Sequence, residues 1–69
     1  MEVIKLREEY IKLGQALKAV GIVDSGVTAK NIILDGLVKV NGSVEIKRGK
    51  KLYDKDIVEF NNEIIKIEK

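Results

Sequence analysis

The side chains that most often carry out catalysis are missing from this chain, which contains no His and no Cys. His is the commonest general acid or base, and Cys is the most readily activated nucleophile, so the usual routes to proton transfer and covalent catalysis are closed. The same absences remove disulfides, zinc thiolates and imidazole ligands. We therefore expect a protein that is not an enzyme and that uses no metal and no cofactor.

The remaining reactive side chains have better structural explanations. Ser25 has no base beside it in sequence, and its place before an apolar helical pattern is typical of a helix cap. Asp54 and Asp56 are close carboxylates in a predicted loop, but a pair supplies too few oxygen ligands for a dedicated calcium site. Asp next to Lys is typical of a turn. The glycines are scattered, and none precedes Lys-Ser or Lys-Thr, so no phosphate-binding loop is predicted.

Positive charge is concentrated in the middle of the sequence, although the net charge is only +2. Residues 12–56 contain nine basic and five acidic residues, whereas the flanks together contain four basic and six acidic ones. The densest part is residues 47–51, where every residue except Gly49 is basic. Such a segment is either solvated surface or a contact for phosphates, and composition alone does not separate the two.

Aromatic residues are scarce. The three in the chain are Tyr10, Tyr53 and Phe60. They are too few and too dispersed along the sequence for a base-stacking platform, so single-strand binding by stacking is disfavoured.

Two short helices are predicted in the first half of the chain. Residues 11–20 carry apolar side chains at three- and four-residue spacing, and Gly21 ends the pattern. The second helix begins near Asp24-Ser25, where Ser caps the first turn, and ends at Gly36. The outward side of the first helix and the edge of the second carry Lys12, Gln15, Lys18 and Lys30.

The second half changes to the alternating pattern of strands. Val38 and Val40 share a face, Asn41-Gly42 is typical of a tight hairpin turn, and Val44 and Ile46 continue on the returning strand. Residues 57–60 and 64–67 predict two more strands, and residues 3–6 an N-terminal one. The expected fold class is α+β, with two short helices packed on a small, mostly antiparallel sheet of four to five strands.

The length and hydropathy of the chain limit the number of domains and the kinds of membrane association that are possible. Sixty-nine residues with 45% hydrophobic and 35% charged side chains indicate one globular domain spanning residues 1–69. The start of the chain has no basic segment followed by an apolar one, and no apolar run is long enough to span a bilayer. We expect a cytoplasmic protein without membrane association.

The order of residues from 12 to about 60 resembles the RNA-binding domain named after small-subunit ribosomal protein S4. That family carries Arg-Leu-Asp before a helix, Ser-Arg at the next helix, then Gly-x-Val-x-Val-Asn-Gly, and later Gly-Asp before an apolar strand. The matching residues are Lys12-Leu13-Gly14, Ser25, Ala29 and the segment from Gly36 to Gly42. The last segment is the most specific part of the match.

Three positions depart from the family pattern. Lys12 replaces the leading Arg, which keeps the charge but loses two-pronged hydrogen bonding. Gly26 replaces the Arg that usually follows Ser, and Lys55 replaces the Gly before Asp56, which predicts a different turn. Gly after Ser and the segment from Arg48 to Tyr53 resemble the stand-alone bacterial branch, in which Lys30 and loop 47–51 look like replacements for the lost Arg.

The resemblance implies a binding module for structured RNA, with ribosomal RNA, the ribosome or an assembly intermediate as partner and no small-molecule substrate. RNA shape would be recognised through phosphates and 2′-hydroxyls by two helices flanked by the hairpin and the basic loop. The alternative is a non-catalytic adaptor that binds an acidic protein partner or docks through its sheet edge. The candidate RNA-binding residues are Lys12, Gln15, Lys18, Ser25, Gly26, Thr28, Lys30, Asn41, Gly42, Lys47, Arg48, Lys50 and Lys51.

Overall fold

The computed structural model describes residues 1–69 and contains two helices and seven strands. In chain order the elements are β1 (Glu2–Lys5), β2 (Ile11–Lys12), α1 (Leu13–Ala19), α2 (Gly26–Leu34), β3 (Val38–Val40), β4 (Ser43–Val44), β5 (Lys51–Leu52), β6 (Ile57–Phe60) and β7 (Glu63–Glu68). This arrangement confirms the predicted α+β class.

The strands form two sheets. The larger has the order β1-β7-β6-β3-β4 and is antiparallel except at the β1–β7 edge, where the two ends of the chain pair in parallel. The smaller contains β2 and β5, with Ile11 opposite Leu52 and Lys12 opposite Lys51. The expected mostly antiparallel sheet is confirmed, and the N-terminal strand forms its parallel edge.

Two tight turns set the register of the larger sheet. Asn41 and Gly42 have φ of 52° and 86°, and Asn61 and Asn62 have φ of 51° and 67°. Two successive positive φ values are what a two-residue type I′ hairpin requires, and Asn and Gly adopt them most readily. The Asn41-Gly42 turn lies where the sequence predicted it, and the second turn joins the two strands predicted at residues 57–60 and 64–67.

Apolar side chains from both helices and both sheets meet in one core. Leu13, Leu17, Ile33 and Leu52 are fully buried, and the valines and isoleucines of the larger sheet cover them from the other side. Burial of one such aliphatic side chain contributes about 1.5–3 kcal/mol, which is the main stabilising term in a chain without disulfides. The helices are therefore held as rigid neighbours on one face of the sheet.

Both helices end in the same glycine motif. Gly21 and Gly36 have φ of 77° and 76°, and each donates its N–H to the carbonyl three residues earlier. The following residues, Ile22 and Leu37, donate to carbonyls five residues earlier, which completes a Schellman motif. The predicted stops at both glycines are confirmed. Neither helix combines the length and the apolar character needed to cross a membrane.

Three expectations about element bounds were wrong. The first helix starts at Leu13 and not at residue 11, because Ile11 and Lys12 pair with residues of β5. Lys51 belongs to that strand and not to the basic loop. Ile46 lies outside the returning strand and is 56% exposed, since the Glu45 carboxylate accepts the Lys47 N–H at 3.1 Å and turns the chain away.

Candidate nucleic-acid interface

A cleft of about 310 Å³ lies between α1, the start of α2 and the basic loop. Its lining is entirely hydrophilic or glycine. The lining residues are Lys12, Gly14, Gln15, Lys18, Gly26, Arg48 and Gly49. Pockets for drug-sized molecules are mostly apolar, whereas this one offers three cations, an amide and no carboxylate. We call it the basic cleft, and its chemistry suits phosphate groups.

Backbone hydrogen bonds hold the basic loop against α1. The N–H of Leu13 donates to the carbonyl of Lys50 at 2.8 Å, and the N–H of Gly14 donates to the carbonyl of Arg48 at 3.0 Å. Within the loop, the Lys50 N–H donates to the Lys47 carbonyl at 3.1 Å, which closes a turn over Arg48 and Gly49. The cations of the loop are thus presented from a fixed backbone.

Gly14 permits the side chain of Arg48 to lie against α1. A Cβ at position 14 would come within 2.6 Å of Arg48 Cγ and 3.3 Å of its Cδ. Because these atoms belong to the stem of the side chain, any larger residue would displace the guanidinium. A glycine within a helix costs about 0.5–1 kcal/mol relative to alanine, and here it brings Arg48 into the cleft.

The cations of the cleft have no acidic partner in the chain. The ion pairs of the molecule join Lys5 to Glu68 at 3.1 Å and Lys69 to Glu9 at 3.0 Å, both outside the segment from 12 to 56. Lys12, Lys18 and Arg48 are exposed. Their charge is therefore available to an external anion.

Gln15 and Ser25 both serve helix starts, and Gln15 also lines the cleft. The Gln15 side-chain oxygen Oε1 accepts the backbone N–H of Lys12 at 3.3 Å, which leaves the side-chain N–H groups of Gln15 free to donate outward. The Ser25 hydroxyl accepts the Thr28 N–H at 3.2 Å and lies 3.1 Å from the Thr28 hydroxyl. Ser25 caps α2 as predicted, and both hydroxyls are used within the cap.

Gly26 and Lys30 place one face of α2 beside the cleft. Gly26 lines the cleft, and a Cβ there would meet nothing within 4 Å, so the missing side chain leaves open space. Lys30 is exposed one turn further along the same face, and helical side chains lean towards the N-terminus. Lys30 therefore extends the positive surface of the cleft along α2.

The other candidate cations lie around the basic loop. Lys47 and Lys50 are exposed at its two ends but do not line the cleft. Lys51 lies in β5, directly opposite Lys12, with its ammonium 4.8 Å from the ring centroid of Tyr10. These three cations border the cleft without forming its walls.

Asn41 and Gly42 are not part of the cleft. The Asn41 amide donates to Asp56 Oδ1 at 3.0 Å, and its oxygen accepts the Ile57 N–H at 2.9 Å, so both ends bind residues of the neighbouring turn. Asp56 also accepts the Tyr53 N–H at 2.8 Å through Oδ2. The most specific motif of the resemblance thus fastens the hairpin to the turn at residues 53–56.

Asp54 and Asp56 act as turn residues. The Asp54 carboxylate accepts the Lys69 N–H at 2.9 Å, and Lys55 between them has φ of 77°. The two carboxylates thus bind backbone N–H groups, as the turn interpretation expects. No group of three or more His, Cys, Asp or Glu side chains is arranged to hold a metal ion.

Sequence reasoning missed Gly14, Gly49 and an aromatic pair. The signal for Gly14 was its place inside a predicted helix. Glycine weakens a helix, so its presence there indicates that another part of the chain packs closely against it. Tyr10 and Tyr53 are 43 positions apart, yet the pairing of β2 with β5 brings their ring centroids to 6.0 Å. The expectation that the aromatic residues are dispersed is wrong for these two.

This chain is similar to a known domain family and to a known bacterial protein. A model of the S4 domain matches residues 4–68. The probable ribosome maturation protein RlbA of Bacillus subtilis (strain 168) is 41% identical over 57 residues, which covers 83% of this chain and 80% of that protein.

Proposed function

Because this chain belongs to the S4 domain family, we propose that it is a non-catalytic module that binds structured RNA through the basic cleft and the surface around it. One observation carries the proposal. Lys12, Lys18 and Arg48 converge on a single hydrophilic cleft, and none of them is neutralised by a carboxylate of the chain.

The cleft recognises RNA mainly through its phosphates. Lys12 and Lys18, at the two ends of α1, and Arg48 of the basic loop bind backbone oxygens. The exposed Lys30 and Lys47 extend the contact beyond the cleft. Phosphate contacts fix the register of a protein on a nucleic acid without reading its sequence. The free N–H groups of the Gln15 amide are suited to a 2′-hydroxyl, which distinguishes RNA from DNA.

The start of α2 adds a second kind of phosphate contact. The first N–H groups of a helix have no partner within it, and the helix dipole favours negative charge there. Ser25 satisfies the N–H of Thr28, and Gly26 leaves the approach to the remaining groups open. A phosphate seated in the cleft would lie close to them.

Ribosomal RNA is the RNA class that we propose as the target. The support is the printed name of the Bacillus subtilis relative, a probable ribosome maturation protein, and its 41% identity over most of both chains. A role in the maturation of ribosomes within the cytoplasm follows. The partner would be the ribosome or one of its assembly intermediates.

Charge reversal inside and outside the cleft tests this function. The double variant Lys18→Glu, Arg48→Glu lies in the cleft, and the matched control Lys39→Glu, Lys55→Glu lies outside it with the same change in charge. Binding to purified ribosomal RNA should weaken about a hundredfold for the first pair, because two phosphate contacts become repulsive. The control should keep its affinity to within a few fold.

Equal losses for the two variants would contradict the proposed site, because only the net charge would then matter. A second measurement separates RNA from a protein partner. The tagged chain is isolated from cells with and without ribonuclease treatment, and co-purifying ribosomal components should disappear after treatment. Retention of an acidic protein by nuclease-treated samples would support the adaptor function instead.

A further inference from the structure

The small sheet formed by β2 and β5 has an outer side made of aromatic and basic residues. Ile11 and Leu52 lie opposite each other and face the core, where Leu52 is fully buried. Side chains alternate along a strand, so Lys12 and Lys51 lie on the outer side. Tyr10 and Tyr53 are the next residues beyond the Ile11–Leu52 pair, so the same alternation places them on the outer side at the end of the small sheet. Their rings meet there.

Both tyrosine rings remain accessible. Tyr10 is 37% exposed and Tyr53 is 44% exposed, and their planes are inclined at 52°. The Lys51 ammonium lies 4.8 Å from the Tyr10 centroid, a cation–π distance. Because the ammonium lies over a face of the Tyr10 ring, a base that stacks there would displace it towards the phosphate of the same nucleotide. The rings and Lys51 together then supply the two contacts that one nucleotide needs, a face for its base and a charge for its phosphate.

This aromatic pair is continuous with the basic cleft. Lys12 lines the cleft and belongs to β2 next to Tyr10. Tyr10 also lines a larger groove of about 550 Å³, whose wall includes Gln15 and Lys18 from the cleft. A nucleotide strand that leaves the cleft along Gln15 and Lys18 therefore meets Tyr10.

Like charges face each other at this sheet. Lys12 lies directly opposite Lys51, an arrangement that destabilises an isolated strand pair. Of the nearby carboxylates, Glu9 is paired with Lys69 at 3.0 Å, and Glu8 borders the Tyr10 groove. A phosphate is thus favoured on the side of the two lysines and disfavoured beside Glu8.

We propose that Tyr10 and Tyr53, with Lys51, form a stacking site for one unpaired nucleotide next to the RNA helix held by the basic cleft. Bases inside a duplex are stacked on both faces, so only a bulged, looped or terminal base can use the site. The inference rests on the proposed RNA-binding function and adds the kind of RNA structure recognised, a helix beside an unpaired base.

The chain is well suited to a direct test because it has two tyrosines and no tryptophan. NMR spectra of protein labelled only on tyrosine rings contain signals from Tyr10 and Tyr53 alone. The probes are an RNA hairpin with one bulged adenosine and the same hairpin without the bulge. We expect ring signals to move upfield with the bulged hairpin, because a stacked base shields the ring, and to stay near their free positions with the other.

Variants of Tyr10 measure the contribution of stacking. Tyr10→Leu should weaken binding of the bulged hairpin by about five-fold to a hundredfold and bring it to the level of the unbulged one. Tyr10→Phe should bind like the original protein, because it keeps the ring. Phe60→Leu removes the aromatic residue outside this site and should leave both affinities unchanged.

The outcomes separate this inference from the proposed function. If both hairpins bind equally well, with backbone shifts at Gln15 and Lys18 in a second, uniformly labelled sample but no shift of the tyrosine rings, the stacking site is wrong and RNA binding stands. If neither hairpin nor ribosomal RNA binds, both proposals fail. A Tyr10→Leu variant that folds and keeps the preference for the bulge would also overturn the stacking site.

Discussion

The cations of this protein have different surroundings on the larger sheet and around the basic cleft. On the sheet, Lys5 is paired with Glu68 at 3.1 Å, and Lys39 lies directly opposite Glu59. Around the cleft, Lys12 lies opposite another lysine, and Lys18 and Arg48 have no acidic partner. The first arrangement is the ordinary one for a soluble surface, because opposite charges across strands are mildly stabilising.

The cations around the cleft lack that stabilisation, and Gly14 places a glycine inside α1. Both features weaken the isolated fold, and both bring positive charge together at one place. The comparison teaches that charge distribution within the fold distinguishes the side that we propose for RNA binding, although the net charge of +2 hardly does so. Perturbations of the cleft should change RNA affinity, and perturbations of the sheet should change stability.

Salt should have the largest effect on the cleft side. With about four phosphates contacted, RNA affinity should fall about a hundredfold between about 50 and 200 mM salt, because binding releases counterions. The midpoint of urea unfolding should barely move over the same range, since the core is aliphatic. Fluorescence anisotropy and urea titrations check the two quantities. A flat salt profile would mean that phosphates are not the main contact.

Removal of the Asp56 carboxylate should have the next largest effect, and only on stability. Asp56→Ala loses the hydrogen bonds from the Tyr53 N–H at 2.8 Å and the Asn41 amide at 3.0 Å, which should cost about 2 kcal/mol in free energy of unfolding. Asp54→Ala, which loses a bond only to the terminal Lys69, should cost less. RNA affinity of folded protein should be unchanged for both, and a loss with Asp56→Ala would place its turn in the interface.

Alanine at position 14 should act on the cleft without unfolding the chain. A Cβ there meets the Arg48 side chain at 2.6 Å, so Gly14→Ala should displace the guanidinium and weaken RNA binding about tenfold. In an Arg48→Ala background the same change should have almost no further effect, because the crowded atoms are gone. Additive losses in this double-mutant cycle would show that Gly14 acts independently of Arg48.

An added cation at position 26 should strengthen binding by a smaller factor. The space around Gly26 is open, so Gly26→Arg adds one phosphate contact without a clash inside the protein. We expect about five-fold tighter binding and a salt dependence steeper by about one unit. Gly26→Glu should weaken binding instead. Equal affinities for the two variants would remove the start of α2 from the interface.

Glycine at position 55 should give the smallest effect, on stability alone. Lys55 has φ of 77°, where a side chain costs about 1–2 kcal/mol and glycine costs almost nothing. Glycine also makes the unfolded chain more flexible, which offsets part of this benefit. Lys55→Gly should therefore raise the free energy of unfolding by about 0.5 kcal/mol, as measured in a urea titration. Lys39→Gly, inside β3, should lose stability. RNA affinity should stay constant for Lys55→Gly.

Much of the secondary structure could be predicted from local signals. Ser25 as a cap, Gly21 and Gly36 as helix ends, and the Asn41-Gly42 turn all lie where the sequence placed them, because caps and turns depend on a few neighbouring residues. The first helix was predicted two residues too long at its start, since Ile11 and Lys12 pair with a strand about 40 positions away. No local pattern contains that pairing.

The candidate site was likewise predicted only in part from the sequence. Composition and spacing identified Lys12, Lys18 and Arg48 as cations available for phosphates, but not that Lys47 and Lys50 lie outside the cleft wall or that the Asn41 amide is used within the fold. The aromatic pair was judged dispersed on sequence distance alone. Only pairing of β2 with β5 brought the two rings together.

By itself, the amino-acid sequence determined the fold class, the helix caps, the hairpin turns and the concentration of positive charge in the middle of the chain, because these depend on residue type and short-range spacing. Tertiary structure decided which cations share a cleft, which polar side chains form hydrogen bonds within the fold, and where two tyrosines meet. The physical reason is that packing of the helices and pairing of distant strands set distances between residues that are far apart along the chain.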